Sequence, residues 1–151
     1  MFFIPIALLI GLDQAIKYLI ETKIGLFEKL PVINGFFYIT HTTNKGAAWG
    51  ILQNMNLVFI PVTIVVAIIL SFLLIKNKSL LFRFSGVLIM AGALGNFIDR
   101  VFRPAGVVDY LEFHFGSYVF PIFNLADSLV VCGSILLGIY VLFFYDKKEI
   151  K

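Results

Sequence analysis

Four long apolar stretches divide the chain, each near the roughly 20 residues that a helix needs to cross hydrocarbon. They run over about 2–20, 57–75, 80–99 and 121–145. The second has no charge, whereas the first contains Asp13 and Lys17, the third ends in Asn96, Asp99 and Arg100, and the fourth carries Asp127 near its start. A cleaved signal peptide would also be apolar, but the first stretch lacks a basic n-region and a small-residue cleavage site. It reads as a retained helix. The two longer connections, about 21–56 and 100–120, hold Gly35-Phe-Phe-Tyr-Ile-Thr40 and Ser117-Tyr-Val-Phe-Pro121, whose aromatic and β-branched content predicts strands. Gly46 to Asn54 reads as a short helix lying in the interface, with Trp49 at headgroup depth.

Composition agrees with this pattern. The chain has 151 residues, 60% hydrophobic and 14% charged, with mean hydropathy +0.98. A soluble domain is usually about 45–50% apolar and about 25% charged, so this chain has more apolar surface than a water-soluble fold buries. The expectation is one membrane domain over 1–151, an all-α membrane protein with four transmembrane helices, a small extracytoplasmic β-rich cradle and a short interfacial helix. No internal repeat is present, and no disordered, disulfide-rich or soluble enzyme class fits. Net charge is +3, but the basic residues read as topology rather than as a nucleic-acid surface. Six of the twelve sit in the turn Lys76 to Arg83 and the tail Asp146 to Lys151, the two shortest flanks, which predicts both termini in the cytoplasm. Cys132 is the only cysteine and reads as an inert packing residue.

With that orientation the polar residues fall at one depth. Asp13 and Lys17 lie in the outer half of the first helix, Asn96, Asp99 and Arg100 at the outer end of the third, and Asn124 and Asp127 near the outer start of the fourth. Asn44 and Asp109 lie in the outer connections. A charged group in hydrocarbon costs about 2.5–3.5 kcal/mol even on lenient scales, so this gathering implies one polar site near the outer leaflet. The spacings i,i+4, then i,i+3,i+4, then i,i+3 put each set on one helix face. Interhelical ion pairs and hydrogen bonds explain Asp13 with Lys17, and Asp99 with Arg100, as well as function does. Gly92 and Gly95 read as close-packing positions rather than ligand contacts.

Asp109 and Asp127 have no basic residue at helical spacing. Asp109 follows Gly106-Val-Val in an outer loop, and Asp127 falls roughly 5–9 Å below the end of a helix starting near Pro121. Two carboxylates sharing a low-dielectric site do not both ionise easily, so one donates a proton while the other activates water. Such an acid-base pair is what an aspartic protease uses to hydrolyse a peptide bond without a metal or a covalent intermediate. No H-E-x-x-H motif occurs, His41 and His114 are too far apart to read as a zinc pair, Ser128 has no nearby histidine, and no phosphate loop is present.

Five blocks carry a resemblance. Asp13-Gln-Ala-Ile-Lys17, Asn44-Lys-Gly-Ala-Ala-Trp49, Gly92-Ala-Leu-Gly-Asn-Phe-Ile-Asp-Arg100, Val107-Val-Asp-Tyr110 and Phe123-Asn-Leu-Ala-Asp127 resemble, in order, the blocks of signal peptidase II. The likeness covers nearly the whole chain; it departs at Ala91-Gly92, where many members carry Gly-Gly, and in the loop Thr40-His-Thr-Thr43. It implies a multi-pass aspartic endopeptidase of the bacterial cytoplasmic membrane that cuts a prolipoprotein before a diacylglyceryl cysteine. It also implies Asp109 and Asp127 as the dyad, Asn44, Gly46, Asn96, Arg100 and Asn124 as the substrate-binding shell, and Asp13, Lys17 and Asp99 as a structural polar network. No metal or other cofactor is expected, and the partners are diacylated prolipoproteins and membrane lipid, the enzyme working as a monomer. Two other classes remain: a four-helix proton-coupled exporter using Asp13, although Lys17 would neutralise it, and a non-enzymatic scaffold, in which Asp109→Asn would leave function intact.

Overall fold

The computed structural model describes residues 2–46 and 56–145. Four helices span Phe3–Lys23 (α1), Asn56–Lys76 (α2), Leu80–Phe102 (α3) and Leu125–Phe143 (α4), all long and apolar enough to cross a membrane. Strands Lys29–Ile33 (β1) and Phe37–Asn44 (β2) follow α1, and Val107–Phe115 (β3) and Tyr118–Val119 (β4) follow α3. The interfacial helix expected over residues 46–54, with Trp49, lies outside the described residues apart from Gly46, as does the tail beyond Tyr145.

Helix α3 is the hub of the bundle. It packs on α4, α2 and α1, and the residues it buries include Ser85, Gly86, Ala91, Gly92 and Gly95. Lipid tails are as apolar as leucine, so membrane helices gain from close backbone approach, which small side chains allow. At the end where α1 and α3 begin, Ile6, Leu74, Phe82, Val87, Met90 and Tyr140 form one apolar cluster. A second, Ile20, Ile24, Val108 and Tyr110, seats the far end of α1 against β3.

The strands form one antiparallel sheet of order β1-β2-β3-β4, with β2 and β3 brought together from the two long connections. Three expectations need correction. Asp109 is on a strand rather than in a loop, paired with Thr42 of β2. The fourth helix starts at Leu125, not near Pro121, because Phe123 is held by Leu111 in an isolated bridge and Asn124 is the N-cap. The sheet also includes β1 and all of β3, which no strand was predicted to occupy. At the α3–β3 junction Gly106 adopts φ +104, and a Cβ there would sit 2.5 Å from the Asn44 carbonyl oxygen. Only glycine fits a position both left-handed and that close to another backbone, and the start of β3 is thereby laid beside the end of β2.

Candidate active site

Helix α4 begins with a reciprocal capping box. Asn124 Oδ1 accepts from the Asp127 N–H at 2.9 Å, and Asp127 Oδ2 accepts from the Asn124 N–H at 3.1 Å. The box fixes the Asp127 side chain at the positive end of the helix dipole. Its other oxygen, Oδ1, accepts from Asn96 Nδ2 at 2.7 Å.

Asn124 reaches the second acid as well. Its Nδ2, fully buried, donates to Asp109 Oδ1 at 2.7 Å and lies 3.1 Å from Asn96 Oδ1 and 3.2 Å from the Val108 carbonyl. Asn44 Nδ2 donates to Asp109 Oδ2 at 3.1 Å, and Asn44 Oδ1 is fixed by the Gly46 N–H at 2.8 Å. One asparagine therefore touches both acids. Burial, and after it the charge of Asp127, pushes the Asp109 carboxyl up to about 7 despite the hydrogen bonds from Asn44 and Asn124. The two acids line one cavity of about 600 Å³ together with Asn44, Gly46, Asn96 and Arg100. The rest of its wall is largely apolar, from Phe120 to Phe123 and from Val130 to Cys132. Cys132 is exposed on that wall rather than packed between helices.

Beneath this cavity sits the network of Asp13, Lys17 and Asp99, all fully buried. Lys17 Nζ contacts Asp13 Oδ2 at 2.8 Å, Asp99 Oδ2 at 2.7 Å and Asn96 Oδ1 at 2.9 Å, which uses its three N–H groups. Asp13 Oδ1 accepts from the Ala126 N–H at 3.1 Å, so α1 is tied to the first turn of α4. Arg100 takes neighbours other than Asp99. It donates to the carbonyls of Asn96 (3.3 Å) and Gly46 (3.5 Å) and lies 4.8 Å from the centre of the Phe59 ring.

Several contributors were missed in the sequence. Arg103, not Arg100, pairs with Asp99 (3.2 Å) and with Glu21; its signal was the i,i+4 spacing from Asp99. Gln14 Nε2 donates to Asp99 Oδ1 at 3.0 Å and to the Gly95 carbonyl at 3.1 Å, and only its place beside Asp13 hinted at this. The Tyr110 hydroxyl accepts from the Leu125 N–H at 3.1 Å, and burial raises it to about 12. On the sheet face away from the cavity, Glu112 Oε1 meets Lys29 Nζ and His114 Nε2, each at 2.5 Å. Burial opposes its ionisation, but these two partners outweigh it and lower the carboxyl. His41 is likewise a buried strand residue, with Nδ1 on the Ile24 carbonyl. Among the described residues no three His, Cys, Asp or Glu side chains gather as a metal site.

Residues 5–143 match the model of the family described as signal peptidase (SPase) II. The chain is 47% identical over 154 residues to the lipoprotein signal peptidase of Bacillus pumilus, covering all of this chain and 97% of that protein. To the lipoprotein signal peptidase of Enterococcus faecalis it is 44% identical, over 99% of this chain and 91% of that one. Two solved structures described as bacterial membrane enzymes, determined by the in meso method, are 38% identical to it. Their TM-scores are 0.87 and 0.84, over 99% and 95% of this chain and 94% of each of theirs.

Proposed function

The chain belongs to the signal peptidase II family, and from that premise we propose that Asp109 and Asp127 are the aspartic dyad that carries its activity. It is a multi-pass bacterial membrane peptidase that removes signal peptides from prolipoproteins. The observation that carries the assignment is Asn124, which hydrogen-bonds to both acids on the wall of one cavity. Asp127 takes N–H donors from Asn96 and from the start of α4, partners that favour a carboxylate. Asp109, raised to about 7, supports the role of acid at neutral pH.

Asp127 takes a proton from a water held between the two carboxyls, and the resulting hydroxide attacks the scissile carbonyl carbon. Asp109 gives its proton to the carbonyl oxygen. On collapse of the tetrahedral diol the C–N bond breaks, the leaving nitrogen takes the proton that Asp127 had gained, and one diol O–H returns its proton to Asp109 as the C=O of the carboxylic acid re-forms. The scissile bond precedes a diacylglyceryl cysteine, whose chains would lie along the apolar wall of Ile122, Val130 and Val131. Asn44 and Gly46 face the peptide, and Arg100 is directed at its carbonyls or the lipid ester. The basic turn after α2 argues for cytoplasmic termini, which puts the dyad and the sheet at the outer leaflet, with the sheet as a cradle over the peptide. The exporter reading loses support because Asp13 is held by Lys17 and the Ala126 N–H rather than free to load protons.

The test is a gel-shift assay of a diacylated prolipoprotein with wild type, Asp109→Asn and Asp127→Asn, all shown to be folded, with chelator in a parallel set. Wild type cuts before the lipidated cysteine with or without chelator, and each variant loses at least about 10²-fold in rate, the scale of losing an acid or base. Cleavage by both variants would make the acids structural.

A further inference from the structure

The end of the bundle opposite the two acids carries a site that the peptidase reaction does not use. Between α1 and α3 runs an open groove of about 630 Å³, walled by Pro5, Leu8 and Leu9 on one side and Phe84 and Leu88 on the other. Among the described residues Arg83 is the only polar one lining it. Its guanidinium is held rather than loose. Nε donates to the Asn77 carbonyl at 2.8 Å, and Asn77, itself buried, is locked by Nδ2 on the Tyr140 hydroxyl (2.9 Å) and by Oδ1 on the Ser79 N–H (2.8 Å). Among the described residues, the two Nη groups of Arg83 have no partner.

Among the described residues the charge around this groove is of one sign. Lys76, the last residue of α2, and Lys78, on the turn after it, stand exposed, the first over the Phe72 ring. The acids among the described residues are Asp13, Glu21, Glu28, Asp99, Asp109, Glu112 and Asp127. The nearest along α1, Asp13, is ten residues or about 15 Å from the start of that helix, and along α3 Asp99 is about 24 Å from Arg83. A fixed guanidinium with two N–H edges unpartnered among the described residues, at the mouth of an apolar groove and with no described carboxylate near it, fits a phosphate joined to hydrocarbon.

We propose that this groove binds an anionic phospholipid, one acyl chain lying between α1 and α3 and the phosphate held by the Nη groups of Arg83. Lys76 and Lys78 add attraction for the net negative headgroup, which a zwitterionic lipid does not return. The bound lipid bridges α1 and α3 at the end remote from the dyad and stabilises their packing.

The experiment compares thermal unfolding of the purified protein in neutral detergent with added phosphatidylglycerol, phosphatidylcholine of the same chains, or soluble glycerol phosphate, and counts bound lipid by native mass spectrometry. Wild type gains roughly 5–10 °C with phosphatidylglycerol at saturation and less than half of that with phosphatidylcholine. Arg83→Gln abolishes the difference between the two lipids. Leu88→Trp, which fills the groove and keeps Arg83, abolishes it too and stands as the readout if Arg83→Gln does not fold. Prolipoprotein cleavage in detergent is retained by the folded variants. Equal shifts for the two lipids in wild type, a full preference surviving in either folded variant, or an equal shift from glycerol phosphate would overturn the proposal.

Discussion

The Asp109 carboxyl, raised by burial and then by Asp127 from its ordinary value near 3.8 to about 7, sets the direction of two pH effects. The folded chain keeps a proton there that the unfolded chain has already released between about pH 4 and 7. Stability contributed by this group is therefore full below about pH 4, falls as pH rises through that window, and is gone above about 7. Asp109→Asn has no such titration. It loses one amide hydrogen bond, from Asn44 or from Asn124, at every pH, so its Tm relative to wild type should rise steadily from pH 4 to pH 7.5. A difference that stays flat across that range would mean Asp109 ionises as freely in the fold as in the unfolded chain. In cleavage the same proton is the one given to the scissile carbonyl oxygen. The rate with prolipoprotein should fall on the alkaline side with a midpoint near 7, measured in liposomes buffered identically on both faces.

Helix packing depends on positions where a methyl group has no room. A Cβ on Gly92 of α3 would lie 2.2 Å from the Ala126 carbonyl oxygen and 2.8 Å from Val130 Cγ2 of α4. The first of these is backbone and cannot swing aside. Gly92→Ala should cost about 1–3 kcal/mol, the scale of overpacking, and should also displace the first turn of α4 that holds Asp127. Gly138→Ala, with nothing within 4 Å of its Cβ, should leave Tm and cleavage near wild type. Parallel thermal melts and cleavage rates of the two variants separate helix spacing from a general dislike of alanine. The packing role of Gly92 was readable from the sequence, as were all four spans, because apolar length and small-residue spacing are local signals. The sheet was half hidden. Asp109, Glu112 and His114 within Val107–Phe115 are poor strand formers by composition, and their place on a strand comes from partners far away: Asn44, Asn124 and Lys29. The start of α4 was misread for a different reason. Pro121 suits a first helical position, but Asn124 with Asp127 three residues on was the stronger signal, a capping box that also aims an acid. Asn77 gave no sign at all, since its partner Tyr140 is 63 residues distant.

Across the whole molecule, Lys17 joins elements that the chain order keeps apart. It sits on α1, binds Asp99 and Asn96 of α3, and through Asp13 reaches the Ala126 N–H of α4. Asn96 continues the path to Asp127, and Asn124 continues it to Asp109 on β3. The acids that were placed at one depth by sequence thus belong to one connected network, with a cation at its base and the two candidate catalytic carboxyls at its surface. Lys17→Met fills the volume with a side chain of similar length but strands Asp13 as a buried acid and leaves Asp99 with Arg103 as its one cation. Breaking a buried ion pair from one side costs about 3–5 kcal/mol, and here two acids lose the same partner. The variant should unfold well below wild type and cut poorly. If charge imbalance is the cause, Asp13→Asn, Lys17→Met and Asp99→Asn combined should recover most of the lost Tm, since neutral amides can still receive the Ala126 N–H and neighbouring donors. Cleavage should recover less, because Asn96 would still lack the lysine that fixes its Oδ1 and so the pose of Asp127. Recovery of both together would mean that Lys17 serves only to hold the helices, and recovery of neither would move the cost from charge to the shape of the space that Lys17 fills.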